Sequence, residues 1–369
     1  MKRLLCIVGG MNAGGAETFL MKLYRRLDKS KYQMDFAIGS TDEGFYDSEI
    51  QKAGGKIYHI TPKSAGVWKN FNDIKRIVKE NGYGYVMRIS QNSLSALELL
   101  AAKLGGAKVT AFRSSNSDTS TGRKKDEFVH KMCRFMPRKF ADVRIAPSTE
   151  AAEFMFGKNC IKNRKAVILH NAVDLNTYNY SEVSRKKIRE EFGATEKTVI
   201  GHIGRFTAQK NHDFLLEVFS EYTKTNENSL LMLVGCGELE SAIREKAASL
   251  NIRDKVIFTG VRSDVPSLLS AMDAFVFPSF YEGMPNTVIE AQATGLPCII
   301  SDRITKEADI TGLVKFMPLE APKQWAEEID RVIVAKRETP IDNFRKNRYD
   351  IESVAGQFTN LIFADGVEL

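Results

Sequence analysis

The sequence contains no apolar run of the roughly 18–20 residues that a bilayer-crossing helix requires. Its opening, Met1 to Glu17, has an apolar segment only from Leu4 to Val8 before glycine and polar residues follow. That segment predicts a buried first strand rather than a cleaved leader. Five cysteines (Cys6, Cys133, Cys160, Cys236, Cys298) are scattered with no C-x-x-C pair. This excludes a disulfide framework or zinc ribbon and predicts reduced thiols in a cytoplasmic protein. No two aspartates are spaced D-x-D, and His59, His130, His170, His202 and His212 show no ligand spacing, so no metal is expected. The glycine-rich first loop lacks the G-x-G-x-x-G dinucleotide fingerprint.

What is present suits a folded chain of two domains: 369 residues, 43% hydrophobic and 27% charged. The net charge of +7 conceals an asymmetry. Residues 1–170 hold 30 Lys and Arg against 16 Asp and Glu, a surplus of 14, whereas residues 171–369 hold 23 against 30, a deficit of 7. The first half is therefore expected to face something anionic, and nucleic acid is not among the expected partners.

Strand-like and helix-like segments alternate throughout, which predicts α/β architecture with parallel sheets covered on both faces. In the first half the strands are "RLLCIVG", "YQMDFAIG", "KIYHI", "YGYVMRI", "KVTAFRS", "DVRIAPS" and "KAVILH". The pattern restarts at "KTVIGHIGRF" and continues through "LLMLVG", "KVIFTG", "AFVFPS" and "PCIISD". Two tandem Rossmann-like, doubly wound domains follow, over 1–170 and 171–349, with a ligand expected in a cleft at the carboxyl ends of their strands. A closing helix over 350–369, "IESVAGQFTNLIF", is expected to return to the first domain.

The most informative stretch is "FYEGMPNTVIEA", residues 280–291. Pro285 suits a helix's first turn and Gly295 its end, so a helix is predicted from about Pro285 to Thr294. The amides of Asn286, Thr287 and Val288 then point at an incoming anion, and Gly283 lets backbone approach it closely. Glu282 and Glu290 flank this cradle. Carboxylate, anion cradle, carboxylate matches diol, diphosphate, diol, the order of groups in a nucleotide sugar. Arg205 and Lys210, in "GRFTAQKNHDF", supply cations from the carboxyl end of a strand in the same domain. In the first half "GGMNAGGAE" places Gly14 and Gly15 before a helix, a second site for backbone donation to phosphate. Gly235 and Gly237 in "LMLVGCGELE" also fit the cofactor turn of a methyltransferase or dehydrogenase, though without its third glycine.

These motifs, with "HNAVD" at the linker, resemble glycosyltransferase family 4 enzymes of the GT-B fold, specifically the bacterial exopolysaccharide and capsule type, over nearly the full length. The resemblance implies a retaining, metal-independent transferase. Its substrate is a nucleoside-diphosphate sugar, with uridine as the expected base, and its acceptor is lipid-linked or a saccharide. It implies a catalytic set of Glu282, Arg205 and Lys210. Donor contacts come from Gly15, Gly235, Gly237, Glu238, Gly283, Met284, Pro285, Asn286, Thr287 and Glu290, with Glu290 on the ribose and Glu282 on the sugar. Arg88, Asn92, Arg113, Ser115 and Asn116 are candidates for acceptor or sugar contact. One position departs: where relatives often read H-S-H-N, this chain has Arg113, Ser114, Ser115 and Asn116, with Ser115 in place of the histidine. In a retaining front-side reaction the departing phosphate can take the acceptor proton, so the chemistry survives that loss. The same departure motivates the alternative, a catalytically silent homologue serving as a binding or scaffold subunit of a polysaccharide assembly complex.

Residues 123–144, "RKKDEFVHKMCRFMPRKFADVR", interleave eight Lys and Arg with Phe128, Val129, Met132, Phe135, Met136 and Phe140. The pattern predicts a helix resting on an anionic membrane, placing the protein peripherally at the membrane's inner face.

Overall fold

The computed structural model describes residues 1–12, 14–115, 124–333 and 337–364; the side chains of 124–127 are outside that description. Two compact units emerge, Met1–Ala172 with Arg348–Leu369, and Val173–Asn347. The first holds β1 (Lys2–Val8), β2 (Tyr32–Ile38), β3 (Ile57–His59), β4 (Tyr85–Ser90), β5 (Val109–Ser114), β6 (Val143–Ala146) and β7 (Val167–Ile168). The second holds β8 (Thr198–Ile203), β9 (Ser229–Val234), β10 (Val256–Gly260), β11 (Ala274–Phe277), β12 (Cys298–Ser301) and β13 (Val314–Met317).

Both sheets are parallel, in the orders β3-β2-β1-β4-β5-β6-β7 and β10-β9-β8-β11-β12-β13. Each order reverses once, between β1 and β4 and between β8 and β11. Such switch points open a crevice at the strands' carboxyl ends. Parallel strands covered on both faces need apolar residues at every position, and β1 and β9 supply them. In β1, Leu4, Cys6 and Val8 enter one core cluster, while Leu5 and Ile7 enter the other on the opposite face. All six residues of β9 are buried.

The helix Ile351–Phe363 belongs to the first unit. Ile351, Val354, Ala355, Phe358 and Ile362 form one apolar stripe, buried with Leu4, Phe36 and Met87. Phe363 stacks on Tyr32 at 4.6 Å between ring centroids, and Lys2 Nζ donates to the Phe363 carbonyl at 2.7 Å. Asp350 Oδ1 caps the helix by accepting from the Ser353 amide.

Three local expectations differ from what is found. The stretch 123–144 is not one helix: Lys124–Cys133 and Phe135–Phe140 are separate, and Arg144 lies in β6. Pro137 explains the break, because its ring clashes with the carbonyl four residues back, at Cys133, and it offers that carbonyl no N–H. Met136 and Phe140 pack on the core, whereas Phe128, Met132 and Phe135 stand 64%, 63% and 50% exposed. Pro285 is the cap of helix Asn286–Ala293 rather than its first residue, with extended backbone. Finally, β13 and the helices Glu182–Glu191, Pro322–Val332 and Ile341–Lys346 lie in segments without a sequence assignment. Among the described residues no helix is long and apolar enough to cross a membrane.

Candidate functional site

In the second unit, the loops leaving β8, β9 and β11 are bonded into one assembly. The Phe280 amide donates to the Gln209 carbonyl at 2.9 Å, and Gln209 Nε2 donates to the Tyr281 carbonyl at 2.8 Å. Between these backbone ties, Lys210 Nζ lies 2.7 Å from Glu282 Oε1, with the two side chains only 17% and 11% exposed. The ammonium also sits 4.5 Å from the centre of the Phe277 ring. Asn211, with φ 55°, turns the chain from the short turn Ala208–Lys210 into helix His212–Thr223, a conformation asparagine tolerates. Lys210 is thereby aimed across the β8–β11 switch point.

The β9 loop is seated on the β8 loop by glycine. Gly235 has φ +137°, and a Cβ there would lie 2.2 Å from the Gly204 carbonyl oxygen; at Gly237 it would lie 2.4 Å from that of Phe206. This close approach lets the Phe206 amide donate to the Cys236 carbonyl at 3.0 Å and the Leu239 amide to the Phe206 carbonyl at 3.1 Å. Arg205 and Glu238 are left exposed above it.

Beneath Lys210 lie two buried imidazoles, His202 and His212, whose spacing in the sequence signals no ligand role. His202 Nδ1 donates to the Val276 carbonyl at 2.9 Å, and its ring stacks on Phe277. His212 meets His202 and Phe206 edge-on, each at 4.8 Å. Burial, then the neighbouring Lys210 charge, pushes the His212 pKa down to about 4; burial drives His202 well below its ordinary value. Both rings are thus neutral near pH 7 and form an uncharged floor. The unbroken run "VIGHI" has the pattern of a parallel strand covered on both faces, which marks position 202 as interior and could have signalled this.

Helix Asn286–Ala293 starts where β11's loop ends. Its first turn bonds from Val288 and Ile289 to the Pro285 carbonyl, leaving the Asn286 and Thr287 amides ahead of the ladder. Asn286 Oδ1 and Ser279 Oγ are buried polar atoms without a hydrogen-bond partner among the described residues. Such orphans at a strand's carboxyl end fit a ligand-binding surface. Gly283, Met284, Pro285 and Glu290 are buried, Glu290 at 7% exposure on the second helical turn. The second unit therefore brings together Lys210, Glu282 and the backbone of Arg205, Gly235, Gly237 and Gln209.

The first unit carries its own polar cluster. Gly15 opens helix Gly15–Arg26, and Gly14, the cap, offers no side-chain hydrogen bond. Arg88 Nε lies 2.6 Å from Glu98 Oε2, and Arg88 Nη1 donates to the Ile7 carbonyl at 2.9 Å. Lys63 stands 3.4 Å from Glu98 Oε1 and donates to Ser95 Oγ at 2.6 Å; burial, then the Arg88 charge, pushes its pKa down to about 8. Asn92 caps the turn Ser93–Ala96 by accepting from the Leu94 amide. Arg113 Nη2 donates to Asn171 Oδ1 at 2.6 Å, and the Ser115 amide donates to the Ser90 carbonyl at 3.3 Å. Asn116 falls outside the described residues. Lys63 and Glu98 had no sequence signal of their own; Glu98 comes to Arg88 from the helix Leu97–Gly105 that follows β4, and Lys63 from the loop after β3.

Residues 184–347 match the family model of glycosyl transferases group 1, and residues 13–177 that of Glycosyltransferase Family 4. Over 368 residues the chain is 34% identical to "Putative glycosyltransferase EpsF" of Bacillus subtilis (strain 168), spanning 98% of this chain and 96% of that one. It is 28% identical over 240 residues to the Escherichia coli UDP-Gal:alpha-D-GlcNAc-diphosphoundecaprenol alpha-1,3-galactosyltransferase, spanning 63% and 62% of the two chains. The crystal structure of Anabaena Alr3699/HepE in complex with UDP shares the fold, with a TM-score of 0.79, 17% identity and coverage of 98% and 99%. The chain belongs to glycosyltransferase family 4, with the GT-B fold, and within it to the type found in bacterial exopolysaccharide and capsule synthesis.

Proposed function

We propose that the protein transfers a glycosyl group from a UDP-sugar to a saccharide or lipid-linked acceptor, with retention of configuration and without a metal ion. The observation that carries this reading is the buried Lys210–Glu282 pair beside the tip of helix Asn286–Ala293, at the β8–β11 switch point. Lys210 and the leading amides stabilise charge growing on the departing diphosphate, where preorganised donors have the most effect. Glu282 is held by Lys210 in position to accept from sugar hydroxyls, and Glu290 accepts from the ribose. Arg205 adds a forked donor, and in the first unit the uncapped tip at Gly15 offers amides to an anion of its own. The leaving phosphate oxygen takes the acceptor proton, so Ser115 needs no basic role. HepE has been crystallised with UDP and with UDP-glucose, and the Escherichia coli relative's name specifies a diphosphoundecaprenol-linked acceptor; both support the reading.

The test is UDP release from a panel of UDP-sugars in the presence of a chelator, with the product's anomeric configuration read by NMR. Chelator-resistant release and a retained anomer are expected; no release from any UDP-sugar, or an inverted product, would refute it. Peripheral membrane contact forms part of the same proposal. Phe128, Met132 and Phe135 stand exposed beside exposed Lys131, Arg138 and Lys139, and each cation near an anionic surface contributes roughly 1 kcal/mol. Flotation with vesicles containing anionic lipid, but not with neutral ones, is the expected outcome.

A further inference from the structure

Two arginines occupy neighbouring strands of the first sheet, one register position apart: Arg88 of β4 lies beside Phe112, and Arg113 of β5 beside Ile89. Both are buried, at 8% and 2% exposure. Arg88 is neutralised by Glu98. No carboxylate reaches Arg113 among the described residues. Its contacts are the neutral Asn171 amide oxygen and the Phe19 ring, whose centre lies 3.8 Å from the guanidinium carbon. Its Nε has no hydrogen-bond partner among the described residues. Burial alone pushes its pKa down to about 9, which leaves it cationic near neutral pH. A buried charge without a counter-charge is destabilising, and an apolar residue of similar volume would serve the fold better. Its presence calls for an anion supplied from outside the fold.

We propose that Arg113 receives a phosphate group carried by the acceptor, at the carboxyl end of β5, and so makes the protein selective for phosphate-bearing acceptors. The inference rests on the glycosyl-transfer reading above. Three observations favour an acceptor anion. The guanidinium fork matches two phosphate oxygens. Residues 1–170 carry a surplus of 14 positive charges that attracts polyanionic molecules to this unit. The donor's diphosphate already has Lys210, Arg205 and a helix tip in the second unit, so Arg113 is not required for it. Phe19 and Asn171 hold the side chain through one ring contact and one neutral hydrogen bond, which an arriving anion can outcompete. Arg113 is in these terms a specificity-determining residue, not a catalytic one.

The test uses the full chain saturated with UDP, so that the donor site is filled, and measures phenyl phosphate binding by calorimetry. Wild type is expected to bind it, and Arg113→Met to weaken that binding about tenfold or more. UDP affinity should change less than about twofold, and the melting temperature should stay equal or rise. That last readout separates ligand recognition from a structural role, which predicts a lower melting temperature and unchanged phosphate binding. Equal phenyl phosphate affinity in the two proteins, or none in wild type, overturns the proposal. A parallel loss of UDP affinity overturns it too, by assigning the anion to the donor. If the methionine variant fails to fold, Arg113→Lys keeps the charge and is expected to retain phenyl phosphate binding; a folded lysine variant that binds none is a refutation. Failure of wild type to bind UDP would strike the glycosyl-transfer reading itself and this inference with it, an outcome distinct from unchanged phosphate binding alone.

Discussion

At the second unit's switch point Lys210 and Glu282 satisfy each other across two loops, with Phe277 and two neutral imidazoles beneath. At the first unit's switch point Arg88 and Lys63 share Glu98, and Arg113, on the next strand, has no carboxylate among the described residues. Sheet order and loop placement are alike in the two units, yet charge is handled differently. One presents a closed pair that a polyhydroxylic, anionic donor can reorganise. The other keeps surplus positive charge in reserve. The comparison teaches that the same topological crevice becomes a different receptor according to where its counter-charges come from.

The sharpest way to break this contrast is Arg88→Met. It leaves Glu98 buried with only the more distant Lys63, and should lower stability by about 3–5 kcal/mol in denaturant unfolding. If Arg88→Met and Arg113→Met have the same effect on stability, the distinction between paired and unpaired arginine is wrong. Lys210→Ala removes the cation paired with Glu282 at the second unit's switch point and should reduce UDP release from a UDP-sugar by about 100- to 1000-fold. An unimpaired rate would remove Lys210 from the site.

The imidazole floor makes a pH prediction specific to the second unit. His212 has a folded pKa of about 4 against an ordinary value of 6.5, so between these pH values the unfolded chain binds a proton that the folded chain does not. Stability is therefore unaffected above pH 6.5 and falls as pH drops from 6.5 towards 4, by about 3 kcal/mol over the window. The buried Trp325 reports the second unit by fluorescence, and His212→Gln should flatten its acid profile. The smallest effect is expected from Glu290→Gln, which replaces the carboxylate proposed for the ribose and should lower UDP affinity about tenfold in calorimetry.

The fold was legible where periodicity is strong. The strands of 1–170 all appear, from β1 to the two-residue β7, and the helix read in "IESVAGQFTNLIF" spans Ile351–Phe363. Where a segment is short or charged, the signal fails. In β13, Lys315 interrupts "VKFM" on a sheet edge, and helix Glu182–Glu191 has one buried aliphatic residue, Ile188, beside a buried Arg189. Helix Pro322–Val332, with proline in its first turn and Trp325, Ala326, Ile329 and Val332 on one face, was readable and was missed. In the site, residue types and spacing around Glu282 and Glu290 were visible as a string, because strand, turn and helix follow one another directly. The partnership of Lys210 with Glu282 was not, since 72 residues separate them and only parallel pairing of β8 with β11 brings them together. The neutral contacts around Arg113 were hidden likewise, with Asn171 58 residues away, whereas Arg88 and Glu98 lie close in sequence and only the turn Ser93–Ala96 between strand and helix hid their pairing.

The return of helix Ile351–Phe363 has a consequence for biogenesis. Residues 173–347 are inserted between two parts of one core, so that core lacks Phe358, Ile362 and Phe363 until residues 351–363 have been synthesised. On the ribosome the later unit has all its strands before the earlier one can close, which reverses the usual amino-terminal-first order. A nascent chain stalled before residue 351 would expose the apolar surface that this helix covers, and chaperones would meet the first unit as the unfinished part.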